Sequence, residues 1–446
     1  MRPASTFMRS FAMNAGTLEA LSRTLLLLRD HVRHDIPDAL IGQSLLGTRV
    51  ALIGDRRNMQ FESAQHALVT TALLAARWGA DLRLLVPDVP LMGVHAPLVG
   101  DHLESALLDV LQDLIPDVTA SAVLPADGVD VAVLFGDTRW SGRAARVIRM
   151  QANDWSGAIV SGGGIRWRDY EAPFGALAAA GLAAGEAFKR AVVSLRPSAI
   201  NPRSFDETFE PTREAVIHLA PSGTPPPVGE LDRFDCVSGG AIIQAALYAL
   251  ARIRNARGDV RLIEPEASEI TNLNRYSLLR RSRTNAPKAI DLATVGLVGL
   301  RIEAVTERYD AALRARIGAP APVVLVGVDD IPSRWEVQAA QPAWLGIGAT
   351  THYSAMASYH VQGLGCARCL HPRDEPGGAP IPTVSFVSHW AGLWLASLFV
   401  REQVGARPPR EQQTVFFSPL RPESPTALWL APVHPREDCP HACGQR

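Results

Sequence analysis

Asn272-Leu273-Asn274-Arg275-Tyr276 is followed by Lys288, and Asp329-Asp330 closes an apolar run from Pro322 to Val328. These side chains suit one chemistry. Arginine and lysine neutralise phosphate oxygens, and a carboxylate near them can hold the Mg2+ that bridges those phosphates. Such a set fits a triphosphate and its Mg2+. Lysine is a marked choice here, because only Lys189 and Lys288 among the 44 basic residues are lysine. An ammonium is a compact point donor that a planar guanidinium replaces poorly.

A second constellation is made of cysteine. Cys366 and Cys369 are separated by two residues, and Cys439 and Cys443 by three. Two close pairs in a chain whose start, MRPASTFMRSFAMNAG, lacks a signal-peptide core fit tetrahedral zinc better than disulfides, with His371 and His441 as competing ligands. The fifth cysteine, Cys236, falls in an apolar run and reads as a small buried residue.

The elements that must position these groups begin at Phe234. Phe234 to Val237 reads as a strand, Ser238-Gly239-Gly240 as a turn whose N–H groups phosphate can approach, and Ile242 to Ile253 as a helix. Arg261 to Ile263 makes a second strand ending at Glu264, where a carboxylate can accept hydrogen bonds from ribose hydroxyls. The turn lacks the first and third glycines of GxGxxG. Turn and acid alone would also allow an NAD(P)-dependent oxidoreductase, which leaves Arg275, Lys288, Asp329 and the cysteines without a task.

From Cys236 onward, the order glycine turn, acidic residue, Asn-Leu-x-Arg, Lys, Asp resembles the ThiF/MoeB family and the adenylation domains of ubiquitin-activating (E1-like) enzymes. The resemblance implies ATP-dependent adenylation of a carboxylate. Ser238, Gly239, Gly240, Glu264, Asn272, Asn274, Arg275, Lys288 and Asp329 would then bind ATP and Mg2+, and Cys366, Cys369, Cys439 and Cys443 would hold a structural Zn2+. It also implies an arginine reaching across a dimer to the partner's ATP, and Arg33, nine residues before Gly42-Gln43, stands where that arginine would. The implied substrate is the C-terminus of a small ubiquitin-like or sulfur-carrier protein, with a conjugating-enzyme-like partner; a peptide or amino-acid carboxylate is the near alternative.

Two departures from the family bear on mechanism. After Arg334 the family's Asn is replaced by Gln338. Many relatives carry a nucleophilic cysteine before the helix that here includes His389 to Ala396, but this approach reads Pro380-Ile381-Pro382-Thr383-Val384-Ser385. No thioester on the enzyme is expected, and neither Thr383 nor Ser385 has an evident base for an oxyester.

The first half repeats the alternation without the glycines. A leucine-rich helix from Leu18 to Leu28, which includes Arg23, leads to a strand from Arg49 to Gly54, and Asp55-Arg56-Arg57-Asn58 follows. Expected next are helix Ser63 to Trp78, strand Asp81 to Val86, helix His102 to Leu114, strand Val129 to Phe135, helix Ala144 to Gln151 and strand Ala158 to Ser161. The fold class is thus α/β, two Rossmann-like doubly wound halves, the first without a nucleotide site. Residues 1–215 form one domain, 216–230 a proline-rich linker and 231–446 the adenylation domain, a pseudo-dimer in one chain that can also pair with a second copy. A net charge of −1 argues against nucleic acid, and no apolar stretch has the roughly 18 residues of a membrane helix, so a cytoplasmic protein is expected. Arginine, alanine and proline richness suggests a GC-rich bacterial genome.

Overall fold

Short hydrophobic runs separated by glycine and polar turns build two sheets. The computed structural model describes residues 13–227, 229–374, 380–440 and 443. In the first half, α1 (Ala15–Arg29) and α2 (Asp38–Leu46) precede β1 (Arg49–Ile53), α3 (Arg56–Met59), α4 (Glu62–Trp78), β2 (Asp81–Leu85) and α5 (Leu103–Gln112). Then come β3 (Ala120–Ser121), β4 (Val129–Phe135), β5 (Ala144–Ala152), β6 (Ser156–Val160), α6 (Phe174–Val192), α7 (Pro202–Phe209) and β7 (Ala215–His218). The second half runs β8 (Phe234–Val237), α8 (Ala241–Leu250), β9 (Gly258–Ile263), α9 (Lys288–Thr294), β10 (Leu300–Val305), α10 (Ala311–Ile317), β11 (Val323–Val326) and α11 (Ile331–Ala339). It closes with β12 (Trp344–Thr351), β13 (Ser354–Val361), α12 (Ala367–Leu370), α13 (Ser385–Gln403), β14 (Thr414–Phe417) and β15 (Leu428–Ala431).

The strand orders are β3-β2-β1-β4-β5-β6-β7 and β10-β9-β8-β11-β12-β13-β14-β15. In each sheet the first five strands named are parallel and the remainder antiparallel. Two mixed α/β sheets of the same order are consistent with two Rossmann-like halves. Strands β8 and β11 are buried along their whole length, as strands covered on both faces must be.

Between the sheets lie α4, α6, α8 and α13, which carry almost no exposed residue. Small side chains let them approach closely. A Cβ on Gly181 of α6 would stand 2.8 Å from Trp390 Nε1 of α13, and one on Gly392 of α13 would stand 2.4 Å from the Ile242 carbonyl of α8. One continuous apolar core spans both halves.

Two expectations change. Residues 144–152 form β5, not a helix: the run pairs with β4 and β6, with Val147 facing solvent while Ile148 and Met150 are buried. Alternation with period two and β-branched residues outweighed an arginine spacing that also suits a helix. The first half thus has no helix between β4 and β5, where the second has α11 between β11 and β12. Residues 216–218 belong to β7 instead of a linker, pairing with β6.

Candidate nucleotide site and cysteine centre

A cavity of about 370 Å³ opens at the carboxyl ends of β8, β9 and β11, the edge at which open α/β sheets take ligands. Its walls include Ser238, Gly240, Glu264, Arg275, Lys288 and Asp329, residues far apart in sequence. Arg23, Glu266, Tyr276, Arg308, Asp330 and Thr383 also line it.

The turn after β8 departs from a glycine loop in sequence but keeps its shape. Ser238 has φ 108°, the left-handed region that favours glycine. Its Oγ accepts from the Gly240 N–H (2.9 Å). The Gly239 N–H donates to Glu264 Oε2 (2.6 Å), and the Glu266 N–H donates to Glu264 Oε1 (2.9 Å). Glu264 thereby braces the turn while facing the cavity.

Lys288 starts α9 and is buried, its Nζ 2.5 Å from Glu266 Oε2. Burial alone would lower its pKa, but Tyr276, Glu264 and Glu266 outweigh burial and raise it, so the ammonium stays charged. Arg275 is half-buried and donates to Asn274 Oδ1 (2.8 Å) and, closer, to the Thr271 carbonyl. Burial lowers its pKa. Asp330 caps α11 by accepting from the Ser333 N–H (2.8 Å), and it shares the cavity wall with the exposed Asp329.

The other predicted residues support this wall without lining it. Asn272 Oδ1 accepts from the Glu269 N–H (2.9 Å), and Asn274 Nδ2 donates to Thr24 Oγ1 (3.0 Å) and the Thr383 carbonyl (3.2 Å). Arg33 lies elsewhere, against Asp35 (3.3 Å) and the Pro197 carbonyl (3.3 Å). The arginine that the first half sends into the cavity is Arg23 of α1, whose Nη1 is buried without a hydrogen-bond partner among the described residues. An arginine inside a leucine-rich helix was the available signal, and spacing to Gly42 pointed away from it.

The matching place in the first half is filled. Asn58 Nδ2 lies 2.9 Å from Asp55 Oδ1, 2.9 Å from Asp137 Oδ1 and 3.2 Å from Thr138 Oγ1, and its Oδ1 accepts from the Trp167 N–H (2.8 Å).

The four cysteine sulfurs lie within 4.8 Å of one another. Cys366 Sγ is 3.8 Å from Cys369 Sγ and 3.4 Å from Cys439 Sγ, and Cys439 Sγ is 3.7 Å from Cys443 Sγ. Four sulfurs about 2.3 Å from one zinc stand about 3.8 Å apart, whereas a disulfide needs about 2.05 Å. The set fits a tetrahedral metal. His371 instead meets Arg334 (Nη1 to Nε2, 2.9 Å), and His441 lies outside the described residues. Gln338 Oε1 accepts from the Ala367 N–H (3.1 Å), tying α11 to the first cysteine pair.

Cys236 is fully buried in β8, and burial together with Asp235 pushes its thiol pKa well up. Ser385 Oγ is committed to the Leu74 carbonyl (2.7 Å).

Residues 49–206 match the BilD N-terminal domain. This BilD-like stretch, less than half of the chain, holds the filled first-half site and ends before the cavity's own strands. A curated relative, "Uncharacterized protein y4jF" of Sinorhizobium fredii (strain NBRC 101917 / NGR234), is 28% identical over 204 residues, 45% of this chain and 38% of that protein. Among solved structures, E. coli MccB with MccA-N7isoASN is similar at TM-score 0.40 and 14% identity, covering 48% of this chain and 66% of that one. SeMet PaaA is similar at TM-score 0.35 and 12% identity, covering 42% of this chain and 60% of that one. The chain therefore spans less than two thirds of each of these proteins. No helix among the described residues is long and apolar enough to cross a membrane.

Proposed function

We propose that the chain is an ATP-dependent adenylating enzyme acting on the C-terminal carboxylate of a small ubiquitin-like or sulfur-carrier protein. The observation that carries this reading is the convergence of Glu264, Arg275, Lys288 and Asp329 on one cavity at the sheet's switch point, with Arg23 entering from the first half. Glu264 receives the ribose, Arg275 and Lys288 the phosphates, and Arg23 adds positive charge where the α-phosphate develops negative charge. Asp329 is the group suited to hold Mg2+, which would supply charge neutralisation for the departing pyrophosphate. The substrate carboxylate attacks the α-phosphorus, and the bond to pyrophosphate breaks.

Residues 1–215 serve as the non-binding partner of residues 231–446, which Asn58 supports by occupying the first site. The burial of Cys236 and the engagement of Ser385 support direct transfer from the adenylate, either to an acceptor or to a nucleophile on a conjugating-enzyme-like partner. The cysteine set would hold Zn2+ as a structural ion.

Pyrophosphate–ATP exchange tests the reading, with MgATP and a panel of small ubiquitin-like proteins ending in glycine. Exchange dependent on an intact carrier C-terminus is expected. Absence of MgATP binding, or NADH oxidation in its place, would overturn it.

A further inference from the structure

Arg77 is as buried as any residue in the molecule, yet it takes no part in the cavity. It belongs to α4 of the first half and has no exposed surface. Its guanidinium donates to three carbonyls of the second half: Nη1 to Leu273 (2.8 Å), and Nη2 to Ser277 (3.2 Å) and Leu279 (2.8 Å). Burial lowers its pKa to about 9, and among the described residues Tyr248 is the one ionisable group that acts on it appreciably. A buried cation without a carboxylate is costly, and an apolar side chain of similar size would fill the space without that desolvation penalty. What the guanidinium achieves is the fixing of three points on one segment.

That segment carries Arg275 and Tyr276 into the cavity. Its regular structure is limited to single 3-10 turns at Ile270–Asn272 and Arg281–Arg283. No ladder of its own fixes it between those turns. Its far end is also held from the first half, at the close of α5. The Arg281 N–H donates to the Asp113 carbonyl (2.7 Å), the Ser282 N–H to Asp113 Oδ1 (2.9 Å) and Arg280 Nε to Asp113 Oδ2 (2.9 Å).

We propose that Arg77, together with Asp113, is a positioning residue that clamps residues 273–282 and so sets Arg275 and Tyr276 for nucleotide binding. The first half then contributes to the site in a second way besides Arg23, by holding a segment that the second half meets through Gln244 Oε1 on the Leu278 N–H (3.1 Å) and through the Thr383 carbonyl on Asn274 Nδ2 (3.2 Å). The consequence for ATP rests on the adenylation reading; the clamp itself does not.

The test uses the full chain and three variants, Arg77→Lys, Arg77→Met and Asp113→Asn, with thermal melting, peptide-resolved amide exchange and MgATP titration. A lysine keeps the charge but cannot span three carbonyls. Arg77→Lys should lose protection at least tenfold across 273–282 while α13 keeps its own, and should bind MgATP at least tenfold more weakly while folded. A residue that only stabilised the fold would lower the melting temperature and leave the affinity of the folded protein unchanged, and that result overturns the proposal. Should both Arg77 variants fail to fold, Asp113→Asn decides: lost protection at 280–282 with weaker MgATP binding supports the clamp, and unchanged values refute it. If the unaltered chain binds no MgATP, the adenylation reading fails by itself and amide exchange alone judges the clamp.

Discussion

Asp329 and Asp330 are adjacent and chemically identical, and the fold gives them different work. Both line the cavity, but Asp330 is spent on the N-terminus of α11 and on Arg308 (3.3 Å), while Asp329 is the more exposed of the two. Asp329→Ala should therefore abolish pyrophosphate exchange with a melting temperature close to that of the parent. Asp330→Ala should cost about 1 kcal/mol of stability, the usual worth of an N-cap, with a smaller loss of exchange. Unchanged exchange in Asp329→Ala would remove that residue from the metal site. Ser238 illustrates what residue types reveal. Its serine breaks the glycine pattern, but it adopts the left-handed backbone a glycine would supply and returns its hydroxyl to Gly240. Ser238→Gly exchanges a strained backbone for a lost hydrogen bond, each about 1 kcal/mol, so stability should change little by chemical denaturation. The freed Gly240 N–H should tighten MgATP binding, measured by titration. On a wall shared with Glu266 and Arg308, which carried no such signal, Glu264, Arg275, Lys288 and Asp329 were legible because phosphate chemistry would restrict such groups to few residue types. Arg23 was not, because a cation's reach from a helix depends on the packing of α1 against the segment that begins at Ile270.

α11 connects the two chemical centres. Its N-terminus follows Asp329, and its other side meets the cysteine knuckle through Gln338 to the Ala367 N–H and through Trp335 Nε1 to the His371 carbonyl (2.9 Å). The longer amide of Gln338 has a partner where a shorter asparagine would fall short. Metal analysis should find one zinc per chain, and Cys366→Ser or chelation should lower the melting temperature strongly, since metal affinity at such a site is folding free energy. MgATP affinity should fall with it, because α11 loses its brace. Fully folded metal-free protein would contradict the assignment. Most parallel strands were readable from their apolar runs, including β4 and β8 to the residue. β5 was not, since Arg146 and Arg149 mimic helical spacing and only pairing with β4 and β6 decides the matter.

The halves share one core, with contacts such as Thr70 Oγ1 to Tyr248 OH (2.7 Å) and Arg252 Nη2 to the Ala96 carbonyl (2.8 Å) crossing between them. The chain should unfold in one transition rather than half by half. Buried histidines contribute to its pH dependence, His95 and His389 among them. Burial, with Arg252 adding repulsion, lowers His95 to about 3, and burial lowers His389 to about 4. Above the unfolded value near 6.5 neither state binds these protons; below it the unfolded chain binds them while the folded chain does not. Stability is therefore fully present at neutral pH and is lost as pH falls from 6.5 toward 4, by about 1.4 kcal/mol per unit for each histidine. Denaturant midpoints that stay flat across that window would refute this. The duplicated architecture could be read from alternating strands and helices, whereas the fusion of two cores could not, because helices buried on every side look in sequence like apolar helices of any protein.

Lys189 and Lys288 are the only lysines in the chain, and both are buried: Lys189 Nζ meets Glu186 Oε1 (2.5 Å) and Thr212 Oγ1 (2.8 Å) in the first half, and Lys288 meets Glu266 in the second. On the proposed reading the chain makes an activated carboxylate within reach of its own side chains, and any accessible ε-amine on its surface would be an unintended acceptor. This surface offers guanidinium groups instead, which stay protonated and do not attack acyl groups at neutral pH. With carrier and MgATP in excess, no isopeptide-linked adduct should form on a lysine of this chain. Arg301→Lys, which places one amine on an exposed strand, should create such an adduct, detectable by mass spectrometry.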